Sequence, residues 1–130
     1  MTKTVLVLDD EPEILELMEE LLKSIPGVKT VISSSKYSDA YSKLKNQKFD
    51  IIFTDYKLGG TETGLDFIKE IRQTDKENYR KTNVFLISGQ LNKSIIDQAK
   101  QYKVKDILVK PFSVGKLAGA LKSCTKKVAA

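Results

Sequence analysis

The stretch TVLVLDDEPE, residues 4–13, joins a short apolar run directly to a group of acids. Four consecutive apolar residues, 5–8, are typical of a strand that is buried on both faces. Asp9, Asp10 and Glu11 follow without a break. They could simply favour the N-terminus of the helix that follows. Alternatively, the acids are partly buried. An ionised carboxylate is costly to bury unless a partner compensates its charge, so the end of this strand would then need a cation or a proton.

The rest of the chain repeats this alternation of apolar runs and helical segments. We predict strands over residues 4–9, 28–33, 49–55, 83–88 and 106–110. Strands that alternate with single helices predict parallel pairing, right-handed crossovers and helices on both faces. The sequence therefore predicts an α/β fold with a doubly wound, five-stranded parallel sheet, (βα)5, as a single domain over residues 1–130. Apolar residues at helical spacing define five predicted helix faces: Ile14, Leu15, Met18, Leu21, Leu22 and Ile25; Tyr37, Ala40, Tyr41 and Leu44; Leu65, Ile68 and Ile71; Ile95, Ala99 and Tyr102; Val114, Leu117, Ala118, Leu121 and Cys124.

Turn and cap residues indicate where these elements begin and end. Pro26 and Gly27 are expected to close the first helix. Ser35 and Asn92 are suited to cap the N-termini of the second and fourth helices. The polar segment 73–83 is predicted to be an exposed loop or a frayed helix end.

Composition excludes several classes of protein. The chain has 130 residues, of which 41% are hydrophobic and 30% charged, which is typical of a globular domain. Its apolar runs are far shorter than the ~20 residues needed to span a bilayer, and no secretory signal is predicted at its N-terminus. The short apolar runs predict no membrane partner. A single cysteine permits no internal disulfide, so we predict a cytoplasmic protein. The net charge of +5 comes from scattered basic residues, so no direct nucleic-acid binding is predicted.

Polar side chains end four of the five predicted strands. Asp9 and Asp10 end the first, Asp55 the third, Ser88 the fourth and Lys110 the fifth. In a doubly wound sheet these ends lie at one edge, where ligands bind. Carboxylates ~5 Å apart repel each other by about 3 kcal/mol at an effective dielectric of ~20, so either one carboxyl group protonates or a cation binds. Hard divalent ions prefer oxygen ligands, and Mg²⁺ commonly combines one or two carboxylates with a phosphate.

Four short motifs at these strand ends resemble those of response-regulator receiver domains. They are LDDEPE, FTDYKL, LISGQ and VKPF, at the ends of strands one, three, four and five. Any one of them is a weak signal, but four in order, across about residues 3–126, are specific. The resemblance implies a flavodoxin-like fold with strand order 2-1-3-4-5 and a role in two-component signalling.

The resemblance also implies a phosphoacceptor and a metal site. Asp55 is the expected nucleophile, which becomes an aspartyl phosphate, as carboxylates do in other phosphotransfer proteins. Mg²⁺ is the expected cofactor, held by Asp10, Asp55 and the backbone carbonyl of Lys57. Asp9 is expected to bind it directly or through water.

Two further residues are expected to contact the phosphoryl oxygens. Lys110 would pair with one oxygen as a point charge, and the peptide bond between Lys110 and Pro111 is expected to be cis. Ser88 would donate its hydroxyl to another oxygen, and its movement would report phosphorylation. Gly89 is expected to leave room for the phosphate.

The sequence departs from the family pattern in two places that affect switching. Many receivers carry an aromatic residue three positions before the lysine, whereas this chain has Ile107 there. The usual coupling of that aromatic to Ser88 is therefore in question, and Tyr102 is a candidate to take part of its role. The loop after Asp55 has Gly59 and Gly60 where a proline is common, and it is about one residue longer.

These features predict a phosphorylation-dependent signalling receiver. The phosphoryl donor would be a sensor histidine kinase or a histidine phosphotransfer protein. The protein would catalyse part of its own phosphorylation but turn over no separate substrate, so it is not predicted to be an enzyme. Phosphorylation would switch a protein-binding surface on the fourth helix, fifth strand and fifth helix. A downstream effector protein, or an output domain outside this sequence, would bind that surface.

Two other functions stay open at this point. The chain could be a receiver-like interaction module that signals without phosphorylation, which the isoleucine and the altered loop favour. A phosphohydrolase is disfavoured because the sequence has no histidine and no paired DxD acids. Lysines in the region of the predicted switching surface favour an acidic partner: Lys93, Lys100, Lys103, Lys105, Lys116 and Lys122.

Overall fold

A computed structural model describes residues 2–74 and 81–125 of the chain. Within these residues five strands alternate with five helices. The strands are β1 (Lys3–Leu8), β2 (Val28–Ser34), β3 (Ile51–Asp55), β4 (Asn83–Ser88) and β5 (Asp106–Val109). The helices are α1 (Pro12–Lys23), α2 (Tyr37–Asn46), α3 (Gly64–Thr74), α4 (Lys93–Gln101) and α5 (Val114–Thr125).

The five strands form one parallel sheet in the order β2-β1-β3-β4-β5. The predicted doubly wound fold and its strand order are therefore confirmed. The order reverses at β1, which has β2 on one side and β3 on the other. A crevice for ligands is expected beyond the carboxyl ends of these two strands.

Helices cover both faces of the sheet, as the continuous apolar runs predicted. Successive residues of β1 point to opposite faces. Leu6 and Leu8 belong to a core cluster with the buried residues of α2 and α3, whereas Val5 and Val7 belong to a second cluster with those of α1 and α5. Every residue of β3 is buried. β1, which Asp9 directly follows, and β3, which ends in Asp55, are therefore packed against helices on both faces.

Several predicted boundaries and faces differ from the structure. β1 and β5 each end one residue earlier than predicted, β3 begins at Ile51 rather than at residue 49, and α1 ends at Lys23, before Ile25 and Pro26. Lys36, not Ser35, occupies the N-cap position of α2, and it makes no side-chain capping hydrogen bond. Val114 was assigned to the buried face of α5 but is 56% exposed, because it is the first residue of that helix. Tyr102 follows α4 as its C-cap rather than lying within it.

Other boundary predictions are confirmed or lie partly outside the described residues. Asn92 caps α4, since its side-chain oxygen accepts a hydrogen bond from the Ile95 amide. Of the predicted loop 73–83, the first two residues extend α3 and the last begins β4, while residues 75–80 lie outside the described part of the chain. Among the described helices, none is long and apolar enough to cross a membrane.

Arg72 connects the end of α3 to two segments that precede β4 and β5. Its guanidinium donates hydrogen bonds to the backbone carbonyls of Thr82, Tyr102 and Lys103, at 2.9, 2.9 and 3.0 Å. Lys103 has a positive φ of 56°, a conformation that is uncommon for a residue with a side chain. The planar fork of arginine suits several acceptors at once, so this side chain holds the turn after α4 in place.

We expect Arg72→Ala to lower the free energy of unfolding by roughly 2–4 kcal/mol, because the change removes charged hydrogen bonds to partly buried carbonyls. Lys69→Ala is the matched control, since Lys69 is exposed on the same helix, and it should change stability by less than about 0.5 kcal/mol. Urea unfolding followed by circular dichroism measures both. Equal stability of the two variants would contradict the assigned role of Arg72.

Candidate functional site

Four of the predicted site residues meet at the carboxyl edge of the sheet. Asp9 directly follows β1, Asp55 and Ser88 end β3 and β4, and Lys110 directly follows β5. Asp55 and Ser88 line one cleft of about 340 Å³ together with Asp10 and Lys110. The backbone reinforces the arrangement, because the Lys110 amide donates a 2.8 Å hydrogen bond to the Ser88 carbonyl.

The acids of this edge are close enough to share one ion. Ligand oxygens from Asp9, Asp10, Glu11 and Asp55 all lie within 4.8 Å of one another. Asp9 and Asp55 are buried, whereas Asp10 and Glu11 are exposed. The set thus combines two fixed carboxylates with two that solvent reaches.

Lys110 bridges three of these acids. Its Nζ atom lies 3.1 Å from an oxygen of Asp55, 3.3 Å from Asp9 and 3.5 Å from Glu11. The other oxygen of Asp9 accepts a 2.9 Å hydrogen bond from the Glu11 amide. Glu11 was noted in the sequence but not assigned to the site, because its position on the first turn after β1 gave no indication of a contact with β5.

Burial and mutual repulsion shift the titration of the site. Burial raises the pKa of Asp9 to about 6, although the Glu11 amide and Lys110 offset part of the effect. Burial also raises the pKa of Asp55; the hydrogen bond and charge of Lys110 oppose this rise, and the charge of Asp10 adds to it. Burial lowers the pKa of Lys110, but the two aspartates outweigh burial and raise it on balance. Lys110 therefore stays protonated while the acids compete for its single charge.

The loop between β3 and α3, residues 56–63, contains Lys57 and returns to the end of β3. The Gly64 amide donates a 2.8 Å hydrogen bond to the Tyr56 carbonyl, and Lys57 forms an antiparallel bridge with Thr63. A side chain at Gly64 would lie only 2.1 Å from the Asp55 carbonyl oxygen. Glycine is required there because α3 begins directly against the backbone of Asp55.

The two predicted switch residues occupy different surroundings. Ser88 is buried, and its hydroxyl donates to the Gln90 carbonyl and accepts from the Gln90 amide. In this conformation the hydroxyl is held by the loop that follows β4. Ile107 is partly buried and packs against the same core cluster as Tyr102. A Cβ atom at Gly89 would meet nothing within 4 Å, and the expectation that this glycine leaves room for a phosphate stays a prediction.

The donor set fits a magnesium ion. Mg²⁺ prefers oxygen ligands and typically takes one or two carboxylates while keeping several waters. Asp55 lines the cleft with Asp10 and Lys57, so two carboxylates and a nearby backbone carbonyl are available. Asp9 is already engaged by Lys110 and an amide, which suits contact through water better than direct ligation. The Lys110–Pro111 peptide bond is cis, as the resemblance implied.

Fold and site together define a doubly wound α/β protein with an acidic, lysine-bridged pocket at its ligand-binding edge. The sequence model of the response regulator receiver domain family matches residues 5–122. The chain belongs to this family, the receiver domains of two-component response regulators.

Individual relatives are distant in sequence. The chain is 27% identical to the sensory transduction protein LytT of Enterococcus faecalis over 95% of its own length and 48% of LytT. It is also 27% identical to the chemotaxis protein CheY-3 of Vibrio cholerae, over 87% of this chain and 84% of CheY-3. The chain spans about half the length of LytT and of the regulators MalR and DctR, whereas it spans most of CheY-3.

Solved structures share the fold. The chemotaxis response regulator CheY4 of Vibrio cholerae superposes with a TM-score of 0.83 at 23% identity, covering 95% of this chain and 99% of CheY4. The BeF3-activated receiver domain of DrrB superposes with a TM-score of 0.78 at 21% identity, covering 98% of this chain and all of that one. At these identities the comparison supports the architecture alone.

The raised pKa of Asp9 predicts a pH-dependent stability in metal-free solution. The ordinary pKa is 3.8 and the folded one about 6, so the native state binds more protons between these values. The free energy of unfolding should therefore fall by roughly 3 kcal/mol as pH rises from 4 to above 6. Asp9→Asn removes this loss.

We expect Asp9→Asn to be more stable than the wild type at pH 7.5 in EDTA and to lose most of that advantage near pH 4. Denaturant unfolding at the two pH values measures the difference. A variant that is less stable than the wild type at pH 7.5 would show that the ion pair with Lys110 outweighs the burial of Asp9.

Proposed function

We propose that this chain is a phosphorylation-dependent receiver whose phosphoacceptor is Asp55. The observation that carries the proposal is the position of Asp55, a buried carboxylate that lines an open cleft and accepts a 3.1 Å hydrogen bond from Lys110. Burial leaves the carboxylate poorly solvated and raises its pKa, while the hydrogen bond and the charge of Lys110 oppose that rise and favour the ionised form. An ionised, desolvated and accessible oxygen is suited to nucleophilic attack.

The transfer replaces one bond to phosphorus with another. A carboxylate oxygen of Asp55 attacks the phosphorus of a phosphohistidine on a sensor kinase or phosphotransfer protein. The O–P bond forms as the P–N bond breaks, and the electron pair of the P–N bond stays on the imidazole nitrogen. Lys110, already 3.1 Å from Asp55, is placed to pair with an oxygen of the transferred group. The chain turns over no separate substrate in this step.

Mg²⁺ is the cofactor that this proposal requires. Asp10, Asp55 and the backbone carbonyl of Lys57 would hold it, with Asp9 contributing directly or through water. When bound, Mg²⁺ neutralises charge on the acids and on the incoming phosphoryl oxygens. The close packing of four carboxyl groups supports a cation here, because Lys110 alone leaves an excess of negative charge once the acids ionise.

Switching would begin at Ser88. Its hydroxyl now donates to the Gln90 carbonyl, so contact with a phosphoryl oxygen requires it to leave that acceptor. The freed loop leads directly into α4, whose N-terminus is capped by Asn92. We propose that this change alters the surface formed by α4, β5 and α5. Ile107 has no hydroxyl or ring to swing inward, and Tyr102, held at its carbonyl by Arg72, packs against the same cluster.

The proposed switching surface is both basic and apolar. Val109 and Val114 are 43% and 56% exposed, and exposed lysines occur in the same part of the chain. An acidic partner with an apolar contact fits this combination, since opposite charge increases the rate and specificity of association. The partner would be an effector protein or an output domain on a longer chain. The lysines concerned are Lys93, Lys100, Lys103, Lys105, Lys116 and Lys122, all exposed.

Acetyl phosphate with Mg²⁺ tests the phosphoacceptor directly, because it transfers a phosphoryl group without a kinase. We expect intact-mass spectrometry to show one added phosphoryl group on the wild type and none on Asp55→Asn. Asp97→Asn, an exposed acid on α4, is the control and should label like the wild type. No labelling of the wild type, or equal labelling of Asp55→Asn, would instead favour an interaction module that signals without phosphate.

A further inference from the structure

The loop of residues 56–63 is held at its base by backbone interactions, which restrict the position of its tip. The Tyr56 carbonyl accepts from the Gly64 amide, and Lys57 bridges to Thr63. Asp66 adds a further tie, because its carboxylate accepts a 2.7 Å hydrogen bond from the Thr63 amide. Leu58 anchors the start of the tip by packing against the first core cluster.

Gly59, at the tip of this loop, lies close to the carboxylate of Asp10 and has no side chain to meet it. Its φ is +77°, a conformation that residues with side chains rarely adopt. A Cβ atom at this position would lie 3.2 Å from Oδ2 of Asp10. Gly60, the next residue, differs on both counts: it has no positive φ, and a Cβ atom there would meet nothing within 4 Å.

A contact of 3.2 Å forces one of the two groups to move by a few tenths of an ångström. The loop is held at its base, whereas Asp10 is an exposed residue at the edge of the cleft. Asp10 is therefore the group that would yield. Such a displacement matters little for folding, but Mg²⁺ demands near-ideal octahedral geometry with short bonds, while Ca²⁺ accepts longer and more variable ones.

We propose that Gly59 is a positioning residue: because it has no side chain, Asp10 keeps the position that a small octahedral ion requires, and the site prefers Mg²⁺ over Ca²⁺. The inference rests on the proposed function, since it requires a divalent-cation site at Asp10. It assigns to this loop a role in metal selectivity that follows from two features, the left-handed backbone at Gly59 and the 3.2 Å distance that would separate a Cβ atom there from Asp10.

Calorimetric titration of the metal-free full chain with MgCl₂ and, separately, with CaCl₂ tests the proposal. Groups that orient a ligand without binding the metal typically change affinity by 10–100-fold. We expect Gly59→Ala to weaken Mg²⁺ binding at least about tenfold and to weaken Ca²⁺ binding several times less. Gly60→Ala, the matched control, should bind both ions like the wild type.

A second variant separates metal binding from backbone strain. Asn tolerates positive φ better than alanine but still carries a Cβ atom toward Asp10. Gly59→Asn should therefore unfold at a temperature closer to the wild type in EDTA and yet keep the weakened Mg²⁺ binding. If both Gly59 variants bind Mg²⁺ and Ca²⁺ with the wild-type ratio of affinities, the proposed role of Gly59 is wrong. A wild type that binds no Mg²⁺ would instead overturn the proposed function itself.

Discussion

Four carboxyl groups crowded beside one ammonium group, which pairs with three of them, are the constraint on which this molecule depends. Their oxygens lie within 4.8 Å of one another, and each ionised pair repels by roughly 3 kcal/mol at an effective dielectric of ~20. Asp9 and Asp55 cannot relieve this repulsion by moving, because each follows or ends a strand buried in the middle of the sheet. The repulsion is therefore built into the fold, and Lys110 relieves only part of it.

Main-chain hydrogen bonds join the segments that carry the charged side chains of the site. The Lys110 amide donates to the Ser88 carbonyl, and the Tyr56 amide donates to the Ile87 carbonyl, both at 2.8 Å. A phosphoryl group on Asp55 would thus lie between residues whose main chains are already hydrogen-bonded. The hydroxyl of Ser88 is hydrogen-bonded to the backbone of Gln90 in the loop that follows β4, and a phosphoryl oxygen on Asp55 would offer it an alternative acceptor.

The sequence predicted the sheet because apolar runs of four or more residues admit few structures other than buried strands. It predicted the meeting of Asp9, Asp55, Ser88 and Lys110 because parallel strands bring their carboxyl ends to one edge. Both features could be predicted from local sequence patterns, without knowledge of the tertiary packing.

Features that depend on tertiary geometry could not be predicted in this way. Ser35 is as good a capping residue as Asn92. However, β2 continues to Ser34 and α2 begins at Tyr37, so Lys36 occupies the N-cap position instead. The sequence of the loop after Asp55 did not indicate that the loop is tied at its base, nor that Gly59 lies close to Asp10. No spacing along the chain indicates that these two residues, 49 positions apart, approach each other. The ion pair of Glu11 with Lys110 was missed for the same reason.

A crystal structure with Mg²⁺ and beryllofluoride, which stands in for the phosphoryl group on an aspartate, would show whether Asp55 is the phosphoacceptor. Beryllium should be bonded to an oxygen of Asp55, with Mg²⁺ on Asp10, Asp55 and the Lys57 carbonyl. Ser88 should have left Gln90 for one fluoride, and Lys110 should contact another. If instead Lys110 keeps its three carboxylate partners and no metal binds among the acids, this pocket is not a phosphoacceptor site.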